Sequence, residues 1–177
     1  MPTNLEIKVR APSLVPFRRR LLALPHCRRL PILRQRDHYF HGRRGYLKLR
    51  VVSNGGAELI FYERARRRGA RNSHYSKWPV ADPGGLIRLL TSALGIDIVV
   101  RKTRQVFLVE NARIHLDHVS GVGAFVEIEV MVRHGTTQAR RLMDELLRTL
   151  HMSPGASVGV SYADLLKDHP VNRTGIF

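Results

Sequence analysis

The charged residues of the segment RIHLDHVSGVGAFVEIE alternate with apolar ones, and this alternation limits the fold more than any other feature of the chain. Successive side chains of a β-strand point to opposite faces. Arg113, His115 and Asp117 therefore share one face of a first strand. After a glycine-containing turn, Glu127 and Glu129 share one face of a second strand, with apolar residues on the other. The pattern predicts a β-hairpin with one charged face.

Two functions are open for this charged face. Carboxylates two residues apart on one face of a strand lie about 7 Å apart, which lets them hold one or two divalent cations. Glu127 and Glu129 are thus a candidate metal site. A half-solvated strand pair with a charged outer face predicts the same alternation.

Similar alternation recurs along most of the chain. Strands are predicted at Asn4–Val9, in ILRQRDHYF after Pro31, in YLKLRVV, in AELIFYER after Asn54, at Ser76–Val80 and in IDIVVRKTRQVFLVE. Helices are predicted from Pro12 to Pro25, from Asp82 to Leu94 and from Thr136 to Leu150, and the tail segment SYADLL is expected to pack on the body. About eight strands in hairpin order indicate an α+β fold, an antiparallel β-barrel or a strongly curved sheet flanked by helices, formed as one domain by residues 1–177.

The chain carries a net charge of +16, which favours a polyanionic partner such as a nucleic acid or a phosphate compound. Arginine runs at Arg18–Arg20 and in the loop Ala65–Asn72 are predicted to be exposed, and the loop is predicted to be mobile. The single cysteine, Cys27, excludes an internal disulfide and a thiolate metal cluster, so we expect a cytoplasmic protein. No apolar run is long enough for a membrane span, so no membrane partner is expected.

Polar residues on the same strand faces form two sets. The acidic set is Glu6, Asp117, Glu127 and Glu129, and the basic set is Lys8, Lys48, Arg50, Arg64, Lys102, Arg104 and Arg113. If the sheet closes, both sets line one interior, where a polyphosphate with a divalent metal would neutralise them. An open sheet with cross-strand ion pairs is the alternative. His115, on the same face, could contact phosphate or be a hydrogen-bonded structural histidine.

The order of several motifs resembles that of CYTH proteins, the triphosphate tunnel metalloenzymes, over nearly the whole chain. These motifs are LEIKVR, YLKLR, YER, VRKTR, RIHLDHVSGVGAFVEIE and SYADLL. The chain looks most similar to the branch that holds class IV adenylyl cyclases, whose relatives include thiamine triphosphatases and inorganic tripolyphosphatases. The resemblance implies an eight-stranded antiparallel tunnel, and proteins of this kind are often dimers.

The resemblance also implies roles for individual residues. Glu6, Asp117, Glu127 and Glu129 would bind Mg²⁺ or Mn²⁺; Lys8, Lys48, Arg50, Arg64, Lys102, Arg104 and Arg113 would bind phosphate; and Lys8, Arg113 and Asp117 would act in catalysis. One position departs from the family pattern, because Asn4 stands where the first glutamate of the Glu-x-Glu-x-Lys motif is expected. A neutral amide there puts metal affinity in question.

The leading functional expectation is a class IV adenylyl cyclase-like enzyme that converts ATP to cyclic AMP and pyrophosphate. A triphosphatase that hydrolyses tripolyphosphate, thiamine triphosphate or a nucleoside triphosphate is the first alternative. A non-catalytic protein that binds triphosphates in the tunnel, or RNA through its basic surface, is the second.

Overall fold

The computed structural model describes residues 3–53, 55–64, 69–133 and 135–168, which form nine strands and four helices. The strands are β1 (Thr3–Arg10), β2 (Arg28–Arg29), β3 (Leu33–Phe40), β4 (Tyr46–Val52), β5 (Ala57–Arg64), β6 (Arg71–Val80), β7 (Ile96–Val109), β8 (Ala112–Val119) and β9 (Gly123–Met131). The helices are α1 (Val15–Leu22), α2 (Pro83–Leu94), α3 (Thr136–Leu150) and α4 (Tyr162–Lys167), with a single 3-10 turn at Pro154–Ala156.

Eight of the strands close into an antiparallel ring. The order around the ring is β7-β3-β4-β5-β6-β1-β9-β8, and β8 pairs again with β7. β1 bridges the two halves, pairing with β6 on one side and with β9 on the other. The predicted eight-stranded barrel with flanking helices is confirmed. The two-residue strand β2, which extends the sheet beside β7, was not predicted.

The barrel is polar inside and apolar outside around β1, β8 and β9. The outward side chains of these strands, among them Ile7, Ile114 and Ile128, are almost completely buried. Helix α3 covers them with one apolar face, and α1 packs beside α3. The three strands and both helices belong to one hydrophobic cluster. Each fully buried isoleucine of this kind stabilises the fold by about 1.5–3 kcal/mol. Because the apolar core lies outside the ring, the ring interior is left for polar residues.

Two segments differ from the sequence prediction. β6 begins at Arg71, so the predicted loop Ala65–Asn72 is wrong for its last two residues, and the predicted strand Ser76–Val80 is only the second half of β6. The physical reason is long-range pairing, because Arg71 lies opposite Glu6 on β1. Residues 65–68 of the loop and Asn54 of the hairpin turn lie outside the described residues.

The tail segment packs on the barrel as predicted. Ser161 and Asp164 form a capping box at the start of α4, with the Ser161 side chain accepting from the Asp164 backbone N–H. α4 contacts β7 and buries Tyr162, Ala163 and Leu166. Its position brings Tyr162 to the barrel interior. Within the described residues, no helix combines the length and the apolar character that a membrane span requires.

Candidate active site

The barrel encloses a cavity of about 640 Å³ to which all eight ring strands contribute side chains. Nine of the eleven residues in the predicted acidic and basic sets line it: Glu6, Lys8, Lys48, Arg50, Lys102, Arg104, Arg113, Glu127 and Glu129. The predicted convergence of the two sets on one interior is therefore what the structure shows. Asp117 lies beneath the cavity surface, and the Arg64 side chain lies outside the described residues.

A buried aspartate, Asp37 on β3, organises one wall of the cavity. Its carboxylate accepts hydrogen bonds from Arg50 Nε at 2.8 Å and Nη2 at 2.9 Å, from Lys48 Nζ at 3.1 Å and from Lys102 Nζ at 2.7 Å. Burial alone would raise the pKa of Asp37, but the three cations hold it well below its usual value. Asp37 therefore stays ionised and fixes three cationic side chains of the cavity.

The lysines of this wall have lowered pKa values. Burial lowers the pKa of Lys102 to about 8, although the charge of Asp37 opposes the change. Burial likewise lowers the pKa of Lys48 well below its ordinary value, against the effect of Asp37. Three cations share one carboxylate, so this wall carries an excess of positive charge that an anion would neutralise.

A second buried acid, Asp117 on β8, anchors Arg104. It accepts from Arg104 Nε at 2.7 Å and Nη2 at 2.5 Å and from the hydroxyl of Tyr162 at 2.9 Å, and it has no exposed surface. Burial would raise the pKa of Asp117, but Arg104 lowers it below its usual value. Both carboxylate oxygens are thus engaged by protein donors.

The opposite wall, formed by β1, β8 and β9, contains a cluster of ligating atoms. One atom each from His115, Glu127 and Glu129 lies within 4.8 Å of the others. His115 Nδ1 is 3.4 Å from Glu127 Oε2 and 3.8 Å from Glu129 Oε1. Burial would raise the pKa of Glu127, but the hydrogen bond with His115 and the charge of Arg104 hold it well below its usual value.

The first strand completes this wall. In the register of β1 with β9, Glu6 lies opposite Glu129 and Lys8 lies opposite Glu127. Lys8 is buried, and its Nζ donates to the Val160 carbonyl at 2.5 Å and lies 4.2 Å from the centre of the Tyr162 ring. Arg113 is half-buried at the cavity surface.

Part of the cavity lining is apolar. It includes Leu30, Leu33, Val52 and Val106, which we call the apolar collar. The collar adjoins the charged residues, because Leu33 lies opposite Arg104 in the pairing of β3 with β7 and Val106 lies opposite His115 in the pairing of β7 with β8. The cavity therefore offers a cationic region and an apolar region side by side.

Asp37 and Tyr162 are site residues that the sequence prediction missed. The alternation of β3 places Gln35, Asp37 and Tyr39 on one face, so the rule applied to residues 113–117 would have directed Asp37 inward. No comparable sequence signal exists for Tyr162, because the sequence of a short tail helix does not reveal where the helix packs on the barrel.

The sequence was also compared with known families. The sequence profile of the CYTH domain matches residues 3–161, which is most of the chain. The protein belongs to the CYTH family. No curated protein sequence matches this CYTH protein.

Solved structures show the same fold. The PH1012 protein of Pyrococcus horikoshii is 23% identical, with a TM-score of 0.82 over 92% of this chain and 99% of that one. A candidate adenylate cyclase from Vibrio parahaemolyticus is 18% identical, with a TM-score of 0.77 over 93% and 97%. The HpAC1 protein of Hippeastrum, whose structure is described as revealing a dominant triphosphatase activity, is 16% identical, with a TM-score of 0.66 over 94% and 95%. At these identities the likeness of the CYTH protein to each structure concerns the fold alone.

Proposed function

We propose that this CYTH protein is a metal-dependent enzyme that acts on an organic triphosphate, and that it converts ATP to cyclic AMP and pyrophosphate. The observation that carries the proposal is the pairing of two walls across one cavity. Asp37 holds Lys48, Arg50 and Lys102 on one wall, and His115, Glu127 and Glu129 cluster on the other.

The cationic wall supports triphosphate binding. Arg50 and Arg104 present guanidinium groups that can donate in pairs to phosphate oxygens, while Lys48 and Lys102 provide compact charges. Their carboxylate partners keep these side chains in place before a ligand arrives. Preorganised cations of this kind stabilise negative charge as it develops on a leaving phosphate group, because they need not reorganise during the reaction.

The donor set of the opposite wall fits a divalent cation. Glu127 and Glu129 face the cavity, and Glu6 lies beside Glu129 on the neighbouring strand, so we propose these three carboxylates as metal ligands. A divalent metal, when bound, would polarise the phosphate group under attack and neutralise part of its charge. Asp117 was also predicted to bind metal, but its contacts with Arg104 and Tyr162 favour a role in positioning Arg104.

The protein's own side chains account for substrate orientation in this proposal. Lys48, Arg50 and Lys102 hold the terminal phosphates, and Arg104, Arg113 and Lys8 reach the cavity from other strands. Attack of the ribose 3′ oxygen on the α-phosphorus forms one P–O bond, breaks the bond to the bridging oxygen and releases the hydroxyl proton with pyrophosphate. The buried cations at the pyrophosphate end stabilise the charge on that leaving group.

The apolar collar favours an organic triphosphate over inorganic tripolyphosphate. A bare polyphosphate has no apolar surface, so Leu33, Val52 and Val106 would remain without a partner in its complex. A nucleoside or thiamine group extending from the cationic wall would cover them. ATP satisfies both regions of the cavity.

Hydrolysis of the terminal phosphate is the second candidate reaction. The dominant triphosphatase activity in the description of the Hippeastrum protein supports it. The same two walls would serve this reaction, with water attacking the terminal phosphorus. Which phosphorus faces the nucleophile decides between the two reactions.

The test is to incubate the purified protein with Mn²⁺ or Mg²⁺ and ATP, thiamine triphosphate or tripolyphosphate, and to identify the products by chromatography. We expect cyclic AMP and pyrophosphate from ATP and little turnover of tripolyphosphate. ADP and phosphate would replace the cyclase proposal with the triphosphatase one. Binding of these compounds without turnover would show a triphosphate-binding protein, and neither binding nor turnover would overturn the proposal.

Arg50→Gln and Arg36→Gln form a matched pair for this test. Arg50 contacts Asp37 in the cavity, whereas Arg36 is exposed on the neighbouring strand. We expect Arg50→Gln to lower kcat/KM by about 100-fold, because a charge-assisted hydrogen bond contributes about 1.5–3 kcal/mol. Arg36→Gln should leave the activity within about twofold of wild type if surface charge contributes little.

A further inference from the structure

We propose that His115 is a metal ligand of this site, together with Glu127 and Glu129, and that its nitrogen gives the site a preference for Co²⁺ or Zn²⁺ over Mg²⁺. The inference rests on the metal dependence in the proposed function and names the residue that sets the metal preference. His115 was predicted only as a phosphate contact or a structural histidine.

The position of His115 carries the inference. The imidazole is buried on the inward face of β8 and lines the cavity. In the cross-strand register it lies opposite Glu127, and its Nδ1 faces both Glu127 Oε2 at 3.4 Å and Glu129 Oε1 at 3.8 Å. One imidazole and two carboxylates therefore face one small volume, as in a three-ligand protein site. Glu127 Oε2 also accepts a hydrogen bond from Arg104 Nη2 at 2.9 Å.

A buried amide gives independent support for a ligand on this wall. Asn4 is 6% exposed and lines the same cavity, and its Oδ1 has no hydrogen-bond partner among the described residues. A buried amide oxygen without a hydrogen-bond partner destabilises the fold. A cation, or water held by a cation, would supply the missing partner. The wall thus contains both a cluster of ligating atoms and an oxygen acceptor that needs a positive group.

Ligand chemistry links this arrangement to metal preference. Mg²⁺ prefers oxygen ligands in a near-octahedral shell, whereas imidazole nitrogen suits Zn²⁺, Co²⁺ and related transition metals. Asp117 could have supplied an oxygen from the same strand, but Arg104 and Tyr162 occupy its carboxylate. The nitrogen of His115 is therefore the donor that β8 adds to the carboxylates of Glu6, Glu127 and Glu129.

The test uses Co²⁺ and Mg²⁺ binding to the whole protein without substrate. Three variants are compared with wild type: His115→Ala removes the donor, His115→Asp replaces it with oxygen, and His118→Ala serves as the control. His118 is exposed on the opposite face of the same strand. Binding is followed by calorimetry and by the visible absorption of bound Co²⁺, and circular dichroism verifies that each variant is folded.

We expect His115→Ala to weaken Co²⁺ binding by at least about tenfold and to change the Co²⁺ spectrum. His115→Asp should lower the ratio of Co²⁺ to Mg²⁺ affinity, and His118→Ala should match wild type. Unchanged Co²⁺ affinity and spectrum in a folded His115→Ala protein would overturn the inference.

Failure of the inference and failure of the proposed function can be told apart. Turnover of ATP with unchanged metal preference in His115→Asp would overturn the inference and leave the function standing. Co²⁺ binding that depends on His115, without turnover of any triphosphate, would support the inference and overturn the enzymatic proposal.

Discussion

On the β3–β4–β7 wall of the tunnel one carboxylate, Asp37, contacts three cations, whereas on the β1–β8–β9 wall two glutamates face a histidine and a buried amide lacks a partner. The first wall has more positive charge than its acid neutralises, and the second gathers three carboxylates that line the cavity, of which Glu127 also accepts a hydrogen bond from Arg104 Nη2 at 2.9 Å. An anion would neutralise the first wall, and a cation would fit among the carboxylates of the second. The metal–triphosphate complex of the proposed function would supply both.

The largest expected effect comes from removing the acid of the cationic wall. Asp37→Asn leaves Lys48, Arg50 and Lys102 buried without their carboxylate partner, so we expect the free energy of unfolding at pH 7 to fall by about 3–5 kcal/mol. Urea denaturation measures this change. The loss should be smaller at pH 9, because the pKa of Lys102, about 8, allows this side chain to become neutral there.

Asp144→Asn is the control, since Asp144 is exposed on α3. A loss no larger than that of the control would show that the cationic wall does not depend on Asp37. In wild type the stabilisation due to Asp37 is present above about pH 4, the value of an unfolded aspartate, and is lost as the pH falls through its lower folded pKa.

A smaller effect concerns the pH dependence of ligand binding at the same wall. The pKa of Lys102 is about 8, so its positive charge is lost as the pH rises from 7 to 9. We expect affinity for a non-hydrolysable ATP analogue to fall by about tenfold over this range, because Lys102 loses its charge while the terminal phosphate, already ionised at pH 7, keeps its own. Calorimetry in Lys102→Arg should show a weaker pH dependence, and an unchanged one would contradict the role of Lys102.

The next prediction tests whether strand β1 of the opposite wall takes part in metal binding. Asn4→Glu adds a carboxylate beside Glu6 and Glu129, so we expect Mg²⁺ affinity to rise by about fivefold, because the affinity of such sites increases with ligand charge. The metal-free protein should become less stable because the carboxylates repel each other. Asn72→Glu, on the exposed face of β6, should change neither quantity. Unchanged Mg²⁺ affinity in Asn4→Glu would place the metal away from β1.

The smallest expected effect concerns the contact between α4 and the barrel. Tyr162→Phe removes the hydrogen bond to Asp117, and we expect the free energy of unfolding to fall by about 0.5–1.5 kcal/mol. Tyr75→Phe is the control, because Tyr75 also lines the cavity. Equal stability of the two variants, measured by denaturation, would show that Asp117 holds Arg104 without help from the tail helix.

The net charge of +16 is located mainly outside the tunnel. Six cations and five carboxylates form the two walls, counting Asp37 and Asp117 beneath the cavity surface, so the site itself carries about one net positive charge. The remaining 24 basic and nine acidic residues belong to the rest of the chain. The net charge that favours a polyanionic partner therefore comes mainly from residues outside the site. RNA binding by the basic surface stays a prediction.

Much of the site was predictable because strand alternation is a local property. Period two placed Glu6, Lys8, Lys48, Arg50, Lys102 and Arg104 on the polar faces of their strands, and the structure brings them into one cavity. Alternation could not identify the partners of these residues. That Asp37 contacts Lys102, 65 positions away, depends on the pairing of β3 with β7.

The sequence by itself determined most of the strands, their polar faces and the family resemblance, because these follow from side-chain order along a pleated chain. Only the tertiary structure decided which neighbours each inward side chain contacts. Asp117 and His115 share one strand face, yet Arg104 and Tyr162 engage the first while Glu127 and Glu129 surround the second. The reason is that barrel closure sets the register between strands, and register selects the neighbours of every inward side chain.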